Sequence, residues 1–163
     1  MSVIAGAEIA SVDWSAYTEH DGPATKVGQA LHSLLSSTDV ASASDAWKRI
    51  EEHVFSQGTI YSAAEPTVSV MLAALTDAQP PWRSGRIVDL LFFIVSGASS
   101  DDPSLQARCR NRAREGLWLL VQRAATHDGW ARENVLEVIE VIAPERIEMI
   151  RALMPTPSER SDQ

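Results

Sequence analysis

Basic residues are the scarce charge in this chain: 14 Lys and Arg stand against 22 Asp and Glu, a net charge of −8. Phosphate contacts need clustered cations, so this balance argues against nucleic acid as a general partner and suits either a basic partner or simple solubility. Cysteine is scarcer still. The single Cys109 excludes an internal disulfide framework and fits a reducing cytoplasm, the compartment expected here. Long apolar runs are also missing. The longest, Ile87 to Ala98, contains Asp89 and Ser96 and falls short of the roughly 18 residues a membrane span needs, so it reads as a buried helix. Met1 to Ser11 lacks a basic start and carries Glu8, so no secretory signal and no membrane partner are expected.

Chemistry-bearing motifs are absent as well. The chain holds no GxxxxGK, no GxGxxG and no G-x-S-x-G. His20, His32, His53 and His127 fall at irregular spacings, and Cys109 has no nearby partner, so no metal site follows. Cys109 sits on an apolar stripe and reads as a small core residue rather than a nucleophile. No catalytic set and no cofactor is expected, and the chain reads as a non-enzyme.

What is present is helical periodicity. At 163 residues with 45% hydrophobic content, the chain is long enough for one domain with a sound core. Thr38-Asp39, Thr76-Asp77 and His127-Asp128 recur at about 38 and then about 51 residues, each between apolar helical stretches. Such recurrence implies helical hairpins stacked side by side, because one hairpin alone cannot bury its apolar face. Val27, Leu31, Leu34 and Leu35 place a first helix over 25–36. Trp47, Ile50, Val54 and Phe55 mark a second, starting near Ser42 to Ser44. Further helices are expected over 65–76, 84–96, 103–125, 129–142 and 144–154, with Pro66, Pro103 and Pro144 at starts and Gly97 at an end. Residues 1–24 read as an irregular arm anchored by Trp14 and Tyr17, residues 25–154 as the repeat domain, and 155–163 as a disordered tail. No segment alternates with period two, so the fold class expected is all-α without paired strands.

Two stretches, Val12-Asp13-Trp14 and Gly58-Thr59-Ile60-Tyr61-Ser62-Ala63-Ala64, resemble bacterial HEAT-like, armadillo-type proteins, in which a "DW" arm and a "GT(V/I)Y-x-A" link recur. The resemblance spans about 12–154. It implies a right-handed superhelix of about three hairpins, 42–56 with 65–76, 84–96 with 103–125 and 129–142 with 144–154, capped by helix 25–36. One departure is the 103–125 helix, about twice the length of a standard repeat helix. The resemblance further implies a protein-binding surface. Some small members are immunity proteins that block a cognate toxin, and a peptide-binding scaffold is the alternative; an enzyme or nucleic-acid glycosylase of this type fits the acidic charge poorly. Gly58 is expected to take a left-handed backbone, and Tyr61 to reach a backbone group with its hydroxyl.

Three groups are candidate partner-binding residues. Glu133, Glu137 and Glu140 lie at i, i+4, i+7, in a region where residues 128–148 hold six acids and two arginines. As a docking surface they would suit another protein with a basic surface or active site; otherwise they are a solvated helix face. Arg108, Arg110, Arg112 and Arg114 could receive an acidic group or a phosphate, with Arg110 and Arg114 nearest the solvent edge; pairing with Asp101, Asp102 and Glu115 is the competing role. Trp47 and Trp118 are expected in the core. Trp82 and Trp130, at helix starts, are either exposed anchors or packing residues.

Overall fold

The computed structural model describes residues 2–154. The tail expected to be disordered, 155–163, lies outside the described residues. The described chain is mostly helical: α1 (Val3–Ser11), α2 (Val27–Ser36), α3 (Val40–Val54), α4 (Ala64–Leu75), α5 (Pro81–Ser96), α6 (Leu105–Glu115), α7 (Leu117–Thr126), α8 (Gly129–Ile142) and α9 (Ile147–Ala152).

Four sequence expectations about the elements and their packing need correction. The arm is not irregular throughout, because Ser2 caps α1 by accepting the Ala5 N–H at 3.4 Å, and α1 packs on α4 and α2. Paired strands exist: β1 (Thr18–Glu19) pairs antiparallel with β2 (Gly22–Pro23), and β3 (Phe55–Ser56) with β4 (Thr59–Ile60). Two residues per strand are too few to show any alternation. Gly58 does take a left-handed backbone, φ +82°, following Gln57 at φ +50°, so the link is a tight hairpin turn. The stretch 103–125 is two helices, broken at Gly116. A methyl group there would lie 2.5 Å from the Leu72 side chain, so the glycine lets α4 approach the junction. Finally, α3 packs on α2 and α5 instead of forming a hairpin with α4, while α5 packs on α6 and α8, and α8 on α7.

Start signals succeed where a side chain satisfies the first turn. Asp39, three residues earlier than the Ser42 expected from sequence, caps α3 by accepting the Ser42 N–H at 2.8 Å. Helix ends are served differently. Arginines from elsewhere donate to carbonyls at or just beyond the C-termini: Arg83 to Ser37 after α2, Arg110 to Val95 of α5 at 2.8 Å, and Arg123 Nε to Leu75 of α4 at 2.9 Å. Arg123 also reaches the Asp77 carbonyl at 2.8 Å. Such carbonyls have no partner within their own helix, and a guanidinium both bonds them and complements the negative end of the dipole.

The core runs through every helix, from Ala5 in α1 to Ile150 in α9, with Leu31, Ile50, Met71, Leu90, Leu120 and Ile139 fully enclosed. Trp14 is buried as expected, its Nε1 donating to the Ile9 carbonyl at 3.1 Å. Cys109 is buried too, and desolvation pushes its thiol up to about 12. It is a core residue. The β1–β2 hairpin docks on the link before α4: Thr18 N–H donates to Ser62 Oγ at 2.7 Å, and His20 Nδ1 meets Tyr61 Oη at 2.8 Å. The Tyr61 hydroxyl therefore bonds an imidazole and not the backbone group expected.

Candidate functional site: an acid-rimmed aromatic groove

Helices α3, α5 and α8 meet around a cleft of about 380 Å³ lined by Trp47, Phe92 and Phe93, with Glu51, Asp89 and Glu137 at its rim. Its floor is built from the residues up. The α5 stripe Ile87, Leu90, Leu91, Ile94 and Val95 fills the core, which leaves Phe93 off the stripe and 45% exposed. Phe93 does not stand alone. It stacks on Phe55 of the β3–β4 hairpin with centroids 5.0 Å apart and planes 10° from parallel, and Trp47 lies 6.3 Å away at 59°. Offset or tilted aromatic pairs of this kind hold each other's orientation.

The rim is predominantly acidic. Three helices each contribute a carboxylate, and the lining includes one cation, Arg86, whose guanidinium rests over the Trp47 ring at 5.2 Å. Asp89 is half-buried, and desolvation raises its pKa against the opposing pull of Arg86 and a hydrogen bond from Asn134 Nδ2 at 3.4 Å. A carboxylate whose charge is costly to bury is one that gains most from an incoming cation.

Val88 and Asn134 also line an adjoining apolar notch with Pro81, Ser84, Gly85 and Trp130. Trp130 is 68% exposed, its ring edge lying over Gly85 of α5. The notch therefore extends the groove along the α5–α8 seam.

The structure sorts the candidates from sequence. Glu137 and Trp130 lie on this groove. Glu133 and Glu140 flank Glu137 along α8, but Arg151 of α9 sits 3.6 Å from the first and 3.4 Å from the second. Trp82 is partly buried against the core with Arg83 over its ring at 4.9 Å, so it packs. Trp118 is not a core residue: it is 58% exposed, with Arg146 over the ring at 5.9 Å. Arg110 is occupied by the Val95 carbonyl and Arg114 by Glu145 at 2.6 Å, while Arg108 binds Glu65 and Asp102, and Arg112 binds Glu115. The arginine run does not converge on one surface. Sequence reading missed Glu51, Asp89 and Phe93 as site residues. Phe93 carried a usable signal, an aromatic out of phase with its own helix stripe.

Comparison with family models, with curated proteins and with solved structures gives no match. Among the described residues no group of three or more His, Cys, Asp or Glu could hold a metal, and no helix is long and apolar enough to cross a membrane.

Proposed function

We propose that the chain is a protein-binding module, HEAT-like in kind, whose groove between α3, α5 and α8 receives a basic segment of a partner protein. The observation carrying this reading is the half-exposed Phe93, stacked on Phe55 beside Trp47 and ringed by Glu51, Asp89 and Glu137. An aromatic floor supplies the large, rigid contact area typical of binding hot spots. The carboxylates select Lys or Arg, whose heads can pair with acids while their stems or planes lie on aromatic faces. The surplus negative charge steers a basic partner toward the site before contact. The activity is binding and not catalysis.

In its most specific form the partner is a toxin with a basic active site, which the groove occludes. This form rests on the resemblance of the "DW" arm and the Gly58–Ala64 link to small immunity proteins. The test is affinity capture with immobilised chain, compared across two variants. A cognate protein should be retained by the wild type and by Arg110→Ala/Arg114→Ala, and lost with Phe93→Ala/Glu137→Gln. Retention by the groove variant overturns the site. Toxicity of the captured protein, relieved by the wild type and not by the groove variant, supports the immunity form; binding at micromolar affinity to isolated basic peptides, with no toxicity to relieve, favours a peptide-binding scaffold.

A further inference from the structure

Lys26, Arg49 and His53 are far apart in sequence and close in space. They line one cavity of about 160 Å³ between α2 and α3, together with Gln29, Ala30 and Ser33. Its construction follows from helix geometry. Gln29 and Ser33 are one turn apart on α2, and Arg49 and His53 one turn apart on α3, so each pair projects from one face. The two helices form an antiparallel hairpin, which brings Lys26 at the start of α2 near His53 at the end of α3. Trp47 and Glu51, which line the aromatic groove, each lie two positions from an Arg49 or His53 neighbour, about 200° around the helix. The cavity and the groove therefore occupy opposite sides of α3.

The charges here are uncommitted. Among the described residues Lys26 and Arg49 form no ion pair, although Asp45 and Glu52 stand four residues before and three after Arg49. His53 is held in place: its Nδ1 lies 3.2 Å from Glu19 Oε1, and that carboxylate is only 9% exposed. The second oxygen, Oε2, is buried with no hydrogen-bond partner. Burying a carboxylate with one oxygen left over is costly, and the β1–β2 hairpin already docks through Thr18 and His20. What Glu19 adds is orientation of the imidazole, the role second-layer carboxylates play behind functional histidines.

We propose that this cavity binds the phosphate monoester group of a small molecule, held by Lys26, Arg49 and the Glu19-oriented His53. The two formal positive charges of Lys26 and Arg49, with the His53 imidazole beside them, match a dianion with three acceptor oxygens better than they match a singly charged carboxylate. Gln29 supplies a neutral donor. The Ser33 hydroxyl donates to the Gln29 carbonyl at 2.9 Å, so its free lone pair is available to a hydroxyl on the ligand. This site is independent of the groove and of the partner proposed for it.

The test is an amide-resolved NMR titration of the full chain at constant ionic strength with inorganic phosphate, glycerol phosphate, acetate and succinate. Phosphate and glycerol phosphate should give saturable shifts at Gln29, Ser33, Arg49 and His53, with glycerol phosphate the tighter because it can use Ser33. Lys26→Ala and Arg49→Ala should each weaken the affinity about tenfold, and Arg114→Ala should leave it unchanged. Tighter binding of inorganic phosphate than of its ester overturns the small-molecule ester and identifies the free ion as the ligand. Shifts that stay linear through tens of millimolar, equal binding of succinate, or affinity indifferent to Arg49→Ala overturns the site itself. The substituted side chains at 26, 49 and 114 are exposed, so these variants test binding without disturbing the core.

Discussion

Two basic regions of this molecule invert their prominence between sequence and structure. Arg108, Arg110, Arg112 and Arg114 crowd into about two turns of α6, yet each is held by a different internal acceptor: Glu65 with Asp102, the Val95 carbonyl, Glu115, and Glu145. Lys26, Arg49 and His53 are scattered over 28 positions, yet they share one cavity, and among the described residues only His53 has an acidic partner. Density along a helix spreads charge around its axis, because successive residues turn by about 100°. Convergence requires different elements to aim at one point. A basic run is thus weaker evidence for a site than its appearance suggests, and unpaired cations around a cavity are stronger evidence.

The scale for testing this contrast is set by a core residue. Leu120 of α7 is fully buried, so Leu120→Ala should cost about 2–5 kcal/mol in denaturant unfolding. Trp118→Ala, two positions away and exposed, should cost far less; equal losses would show that the phase assigned to α7 is wrong. Next in size is the contrast itself. Arg110→Ala leaves the Val95 carbonyl without its donor and should lower stability by about 1–3 kcal/mol, while Lys26→Ala/Arg49→Ala should stay within about 0.5 kcal/mol of wild type. Comparable losses from both would mean that the α2–α3 cations are structural.

The groove offers a kinetic version of the same comparison. Glu51→Gln/Glu137→Gln should slow association with a captured basic partner about tenfold at low salt, with dissociation changed less. The difference should shrink as ionic strength rises toward physiological values, where exposed charges are screened over about 8 Å. Neutralising Glu133 and Glu140 should matter less, since Arg151 already faces both. A salt-insensitive loss would assign the groove a purely apolar role.

The smallest effect belongs to Asp102, whose carboxyl is drawn down to about 2 by hydrogen bonds from Arg108 first and then Ser104. A depressed carboxyl contributes stability that is present above its unfolded value and lost as pH falls through the folded one. The melting-temperature difference between wild type and Asp102→Asn should therefore be level above about pH 5 and shrink from about pH 4 to about pH 2. A difference that grows on acidification would reverse the assignment. Cys109 gives a control at alkaline pH: with its thiol pushed up to about 12 and buried, it should resist alkylation at pH 8 until the protein is unfolded.

The sequence alone determined that this chain is helical, where most helices lie, and that Cys109, Trp14 and Trp47 are buried, because apolar periodicity and caps are local properties. It also marked Glu137 and Trp130, which line the groove and its adjoining notch. It did not reveal α1, whose amphipathic signal is weak over nine residues, nor the Gly116 break, which is set by the Leu72 side chain of another helix. Only the tertiary structure decided which helices are neighbours. That arrangement places Phe55, Trp47 and Phe93 in one aromatic cluster, turns Trp118 outward, occupies the α6 arginines, and brings Lys26, Arg49 and His53 to one cavity. Those outcomes depend on the relative position of elements distant in the chain, and helical periodicity, which reports only which side of a helix faces inward, does not encode what it faces.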